Sequence, residues 1–365
     1  MPQPRQLLLL TIIGLLAGVA NLPITARAQN GTRVAAGSWN CDISKGWWIS
    51  ANRHLPLYTG LKCPYIRSSQ NCQNQGRPDL QFQKYKWVPS GCTVQRMTPK
   101  RLLTRLRNKL VLVFGDSVSK NFAGSVACVL HAASPSSIQD FRVASGNTKA
   151  YGVKVPRFNA RFASVFSNWL NQASGLGGSM NRVDLDKIDP QITDLLPLAD
   201  IVVFQATNWW FPAINKWYVG GKEQSLSKEA AYEIGLKTLR DYVAKSGFKG
   251  RAALLGVSPS HYKVPGLKEG SCETSKILTA AQAQEFAKGD ITGNKFREIQ
   301  KRVLSGSPIR YVDVAPMSNY RPDGHVQKWM QKGGAPPGKR NDCLHWCEGG
   351  VTDAWLEMLF NNLLF

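Results

Sequence analysis

Beyond its N-terminus the chain has no apolar run long enough to cross a bilayer as a helix, which excludes a bundle of membrane-spanning helices. Internal repeats and low-complexity tracts are also missing, which excludes a solenoid or a disordered tail. Acid is scarce: 24 Asp and Glu stand against 46 Lys and Arg, a formal net charge of +22. The shortage is sharpest over 84–109, where eight Lys or Arg occur without one Asp or Glu and with Tyr85 and Trp87 among them. Such a stretch suits a polyanion, although a solvated basic face has the same composition.

The N-terminus reads as a targeting segment. Arg5 precedes an apolar run, Leu7–Ala20, broken by Thr11, Gly14 and Gly18, and Ala26-Arg27-Ala28 resembles a cleavage site. Residues 1–28 are therefore expected to be a signal peptide, or an uncleaved anchor, delivering the chain to the secretory pathway. Eight cysteines follow, at 41, 63, 72, 92, 128, 272, 343 and 347. An even number behind a secretory signal predicts disulfides in an oxidising compartment. Nucleic acid is rarely met there, so an acidic polysaccharide is the expected polyanion. Asn40–Gly91 holds three of the cysteines, with Cys92 next to it, and many turn residues, and reads as loop-dominated. The expected organisation is a cysteine-rich segment, 29–108, packed on a main domain, 109–365.

Val111-Leu-Val-Phe114 reads as a short buried strand, and Gly115-Asp116-Ser117 as the turn after it. Val118, Phe122, Val126 and Leu130 then repeat at helical spacing. A serine between strand and helix is exposed at the carboxyl edge of an α/β sheet, with its N–H at a helix N-terminus. An ordinary turn in which Ser117 merely caps the helix has the same pattern. Further strands are expected at Asp200–Ala206, Arg251–Val257 and Ile309–Ala315, with a helix over Ser227–Lys245. Alternation of this kind means a parallel sheet with helices on both faces.

Asp342-Cys343-Leu344-His345 offers a base and its orienting carboxylate three residues apart, as if on one helical turn. A surface Asp–His pair or two metal ligands are the alternatives. Metal is disfavoured because Cys343 and Cys347 are expected in disulfides, one of them tethering this loop to Cys72 or Cys272. The other strand ends carry Thr207-Asn208-Trp209-Trp210, Ser258-Pro259-Ser260-His261 and Ser318–His325. Asn208 suits an oxyanion donor. Trp209 and Trp210 suit sugar stacking or the core. His261 competes with His345 as base, and Ser318–His325 suits the wall of an acceptor groove.

Together these motifs resemble the plant trichome birefringence-like family. The resemblance rests on Cys41-Asp42 with Trp47-Trp48, Pro56-Leu57-Tyr58, Cys72–Asp79, Tyr85-Lys86-Trp87 and Gly115-Asp116-Ser117 with Asn121. It continues through Ser258-Pro259-x-His261, Arg321–His325 and Asp342–Cys347. It implies an SGNH-hydrolase-like α/β fold and polysaccharide O-acetyl transfer in the Golgi lumen or the cell wall. By the same resemblance Ser117 is the nucleophile, His345 the base and Asp342 its orienter. The N–H of Ser117, with Asn208 or Asn121, forms the oxyanion hole, and Trp209, Trp210, His261, Arg321 and His325 meet the substrate. No metal or bound cofactor is implied; the co-substrate is an acetyl donor, acetyl-CoA or an acetyl ester, and the acceptor a wall polysaccharide with pectin favoured. The chain departs from the family in Thr207-Asn208 where Gly-His is usual, and in Lys120 where Arg is usual. An acetylesterase, with water as acceptor, and a non-catalytic polysaccharide binder are the rival readings.

Overall fold

The computed structural model describes residues 42–51, 56–175, 181–211, 215–330 and 341–364, all within the compact unit Ala35–Phe365. The expected signal segment lies outside the described residues. The architecture follows from strand β1, Leu110–Gly115, every residue of which is buried. Successive side chains in a strand point to opposite faces. Val111 and Val113 accordingly join one core, and Leu110, Leu112 and Phe114 another. A strand buried on both faces needs cover on both. The first face is covered by α1 (Ser117–Ala133) through Val118, Phe122 and Val126, and by α4 (Val351–Leu364) through Trp355, Leu356 and Leu359. The second is covered by α2 (Lys228–Lys245) through Leu236, Leu239 and Val243, and by α3 (Ile291–Leu304) through Phe296 and Val303.

The main sheet has seven strands. The others are β2 (Gln139–Ser145), β3 (Thr148–Val155), β4 (Ala160–Phe166), β5 (Ile201–Gln205), β6 (Arg251–Leu255) and β7 (Ile309–Val312). They run in the order β7-β6-β5-β1-β4-β3-β2. The five from β7 to β4 are parallel, whereas β3 and β2 are antiparallel additions at one edge. The parallel sheet with helices on both faces agrees with the sequence reading. The β2–β3 hairpin is not legible there, because β2 is mostly exposed at the edge and lacks an apolar period. A second, four-stranded sheet is built from Lys222–Gln224, Asn215–Val219, Asn181–Ile188 and Asn171–Ser174.

The N-terminal segment packs on this domain. Gly46–Ser50 and Tyr85–Pro89 form a hairpin whose Trp48 and Trp87 meet edge to face at 5.6 Å. Trp48 Nε1 donates to Met317 O at 2.8 Å. Arg321, fully buried, lies 4.4 Å from the Trp48 ring and 4.9 Å from that of Tyr85. Three bonds staple early residues or loops to later ones: Cys63–Cys128, Cys72–Cys347 and Cys272–Cys343. Cys92 is also disulfide-bonded, and no cysteine among the described residues is free.

A cluster of acids is sealed between α1 and α4. Glu348 accepts from Ser125 Oγ at 2.8 Å, and Asp353 from Tyr58 O–H at 2.9 Å. Burial first, and then the charge of Asp353, push the Glu348 carboxyl up to about 8 against its hydrogen bonds. Burial raises Asp353 to about 7. Both folded values lie above the ordinary 4.5 and 3.8, so the folded state holds protons that the unfolded chain releases. The contribution of this pair to stability is then fully present below about 4 and is lost as pH rises through about 8. We expect the melting temperature to fall across that window by at least about 2–4 °C, the shift that ~1 kcal/mol produces in a domain of this size. Glu348→Gln, a neutral isostere, flattens the slope; calorimetry at a series of pH values finding an unchanged slope contradicts this account.

Candidate active site

The site begins at Gly115. A Cβ there would lie 1.8 Å from Gln205 O on β5, so only glycine lets β1 end this close to its neighbour. Asp116 follows as N-cap of α1, accepting from Val118 N at 2.9 Å with Oδ1. Its Oδ2 accepts from Thr207 N at 3.2 Å, Asn208 N at 3.1 Å and Asn208 Nδ2 at 3.2 Å. One buried carboxylate thus ties the ends of β1 and β5 together. Burial raises its pKa, and the four hydrogen bonds oppose that rise. Ser117 is the first residue of α1, not Val118 as the spacing suggested, and is half-buried at the carboxyl edge of the sheet. A first-turn N–H has no partner within its own helix and faces outward.

Asp342–Trp346 is a strand, not the helical turn expected from the spacing. It pairs antiparallel with His325–Gln327, but the register slips between His325↔Trp346 and Gln327↔Asp342. The slip curls the chain. Asp342 Oδ1 accepts from Leu344 N at 3.1 Å and His345 N at 2.9 Å, and Oδ2 from His345 Nδ1 at 2.9 Å. His345 Nε2 in turn lies 2.8 Å from Ser117 Oγ. Burial works to raise the Asp342 carboxyl, yet the hydrogen bond from His345 and its charge draw it down to about 2, so Asp342 is ionised. With Nδ1–H given to Asp342, Nε2 is left to accept the Ser117 proton. An open cavity of about 380 Å³ lined by Tyr262, Met330, Asn341, Asp342, Leu344 and His345 adjoins this pair.

Several other expected site residues lie elsewhere. Asn121 is fully buried; its amide donates to Trp346 O at 2.9 Å and Glu348 Oε1 at 3.3 Å and accepts from Trp346 N at 3.2 Å, so it holds the loop and has no hydrogen left for an oxyanion. Trp210 is core, stacked 5.3 Å from Trp217 and edge-on to Tyr232 at 5.1 Å. Trp209 is half-buried against Trp169. Asn208 is half-buried beside the elbow, oriented by Asp116. His261 and His325 are fully buried, with His261 Nδ1 2.7 Å from His325 Nε2. Their outer nitrogens face Asn319 O at 3.2 Å and His345 O at 3.0 Å. Burial, then their mutual proximity, holds His261 well below the ordinary imidazole value, and burial holds His325 down to about 3. They are neutral struts behind the loop, and His261 is no rival base. Arg321 forms a buried pair with Asp323 at 2.8 Å, and Ser318, Asn319 and 321–325 are buried, so this segment lines no acceptor groove. The basic run ends at Lys109, just before β1, whose other end carries Ser117; a strand of that length separates them by about 20 Å. Sequence reasoning missed Asp116 as the tie between strands and Glu348 behind the loop. The only signal for either was its place beside a motif.

Strand, glycine turn, serine at a helix N-terminus, and a His–Asp pair from a late loop form an SGNH-like fold and site, of the class that includes acyl-esterases and acyltransferases. Comparison with known proteins agrees. The profile of PC-Esterase, a GDSL/SGNH-like acyl-esterase family found in Pmr5 and Cas1p, matches residues 94–362, and that of the PMR5 N terminal domain matches 39–93. Protein trichome birefringence-like 43 of Arabidopsis thaliana is 30% identical over 88% of this chain and 88% of its own. Protein trichome birefringence-like 42 of the same plant is 29% identical over 99% of both. The chain belongs to the PC-esterase family, among its trichome birefringence-like members.

Because the His345 loop is stapled at both ends, we expect non-reducing peptide maps to show Cys72–Cys347 and Cys272–Cys343 and no Cys343–Cys347 link. Replacing Cys272 and Cys343 together by Ser should cut turnover of a chromogenic acetyl ester by up to ~10²-fold, the usual effect of misplacing a catalytic group by about 1 Å. Unaltered turnover would show that the loop needs no tether.

Proposed function

We propose that the protein transfers acetyl groups from a donor ester to hydroxyls of a plant cell-wall polysaccharide, with pectin favoured, through an acyl-enzyme at Ser117. The observation that carries this reading is the hydrogen-bonded line Ser117 Oγ, His345, Asp342, at 2.8 and 2.9 Å, on an acyl-esterase-family fold. In the proposal His345 Nε2 takes the Ser117 proton as Oγ attacks the donor carbonyl. Asp342 keeps the imidazole oriented and stabilises the imidazolium. The Ser117 N–H and the Asn208 amide receive the oxyanion, each such donor being worth ~3 kcal/mol. The tetrahedral adduct collapses, the donor's leaving oxygen or sulfur takes the proton from His345, and the acetyl group stays on Oγ. A sugar hydroxyl then attacks, giving its proton to His345, and Ser117 is regenerated. Acetyl-CoA or an acetyl ester serves as donor, and no bound cofactor enters a step. In this reading residues 29–108 brace the catalytic part, 109–365. The disulfides fit an oxidising compartment of the secretory pathway, and the proposal places the reaction in the Golgi lumen or the cell wall.

Water in place of the sugar hydroxyl would make the same site an acetylesterase. Incubation with a labelled acetyl ester and de-acetylated pectin, xylan or mannan separates the two: label on polymer supports transfer, and free acetate alone refutes it. Ser117→Ala and His345→Ala should lower label transfer by roughly 10⁴–10⁶-fold, and Asp342→Asn by about 10⁴-fold, with unaltered circular dichroism. Wild-type rates in Ser117→Ala would remove the acyl-enzyme from the mechanism.

A further inference from the structure

Lys120, beside Ser117, has no counter-charge among the described residues. Lys120 lies three residues after Ser117 on α1, so the two side chains share a face, with Cβ atoms about 5–6 Å apart. Its chain reaches across to β4, the strand next to β1. There Nζ donates to Ser164 Oγ at 2.9 Å and sits 4.6 Å from the centre of the Phe166 ring. Phe166 pairs with Gly115, so this contact lies at the carboxyl edge, level with the elbow. The Phe166 ring is 48% exposed, unusual for a large apolar side chain. No carboxylate among the described residues pairs with Lys120. The charge that acts on it is that of another cation, Arg67 of the N-terminal segment, itself exposed. Burial first, and Arg67 second, hold the Lys120 ammonium down to about 8.

An ammonium placed like this is uncompensated until an anion arrives. Lys has three N–H donors, and Ser164 takes one. An exposed aromatic ring accepts the apolar face of a sugar, as ligand sites commonly use it. The geometry points to Lys120, with Phe166 and Arg67, as the subsite that binds the carboxylate of an acidic sugar acceptor beside Ser117. This rests on the acyl-transfer reading for its place in the reaction, but the binding it describes does not need turnover. It also assigns acidic-polymer selectivity to a different cation from the 84–109 run, which reaches the far edge of the sheet. The anion could instead be a phosphate on the acyl donor, and the experiment separates the two.

The test uses the full chain carrying Ser117→Ala, so that nothing turns over, with trigalacturonate and xylotriose as probes in calorimetry. Adding Lys120→Gln should weaken trigalacturonate about tenfold, the size of one partly desolvated charge-assisted contact, and leave xylotriose unchanged. Lys120→Arg should restore the affinity, and Arg67→Gln, on an exposed side chain, should give a smaller loss of the same selectivity. In the Ser117 protein the Lys120→Gln loss should fall on KM for the acidic acceptor. Equal weakening of both sugars, no weakening of either, or a change confined to KM for the donor each overturns the proposal. If the Ser117 protein acetylates neither sugar, transfer is refuted, while the binding arm still decides the role of Lys120.

Discussion

Ser117, in the first third of the chain, meets His345 from 228 residues later, and much of the structure serves that one hydrogen bond. The elbow is held by Gly115 and by Asp116, whose carboxylate joins β1, α1 and the end of β5. The base loop is held more heavily. Asn121 grips both backbone groups of Trp346, and Ser258 accepts from the Trp346 indole at 3.0 Å. His325 stacks on that indole at 3.8 Å, and disulfides fix Cys343 and Cys347. A loop ordinarily moves more than the elements it joins. Here two covalent bonds and a buried hydrogen-bond network remove that freedom, which is what a catalytic group positioned to fractions of an ångström requires.

The polar interior makes sense in the same terms. Arg77 donates to Asp323 O at 2.8 Å and His325 O at 3.2 Å, and Arg321 donates to Phe82 O at 2.7 Å while pairing with Asp323. Replacing buried ion pairs by apolar groups often leaves stability unchanged or improved, so these side chains are better understood as fixing one arrangement than as adding stability. They join the N-terminal segment to the strand opposite the base loop. The segment is therefore a brace for the site, although it contributes no member of the Ser–His–Asp line.

Much of this was legible in the sequence because it follows from local rules. Apolar β1 followed by glycine, aspartate and serine, then a helical period, specifies the elbow, and the alternation of apolar strands with helices specifies the parallel sheet. The partners Ser117 and His345 could be named from their motifs. What escaped was set by tertiary context. Asp342 and His345 meet through a register slip in a strand pair, and spacing alone cannot distinguish that from a helical turn. Arg321, His325 and His261 have the residue types of a binding groove, yet each finds a buried partner that no local pattern reveals. β2 is mostly exposed, and in β3 the buried positions shift from Thr148 and Ala150 to Val153 and Val155, so neither strand carries a clean period to read.

The pairing of early with late cysteines has a consequence for biosynthesis. As the chain leaves the ribosome, β1 and the elbow are complete long before the base exists. Cys72 must wait 275 residues for Cys347, and Cys272 waits 71 for Cys343. Domains generally fold as units, and residues 35–365 form one such unit. A ribosome that stalls before residue 345 therefore releases a chain that carries Ser117 but neither His345 nor the α4 cover of β1. The covalent restraints on the His345 loop come into being only after Cys343 and Cys347 have been made and oxidised.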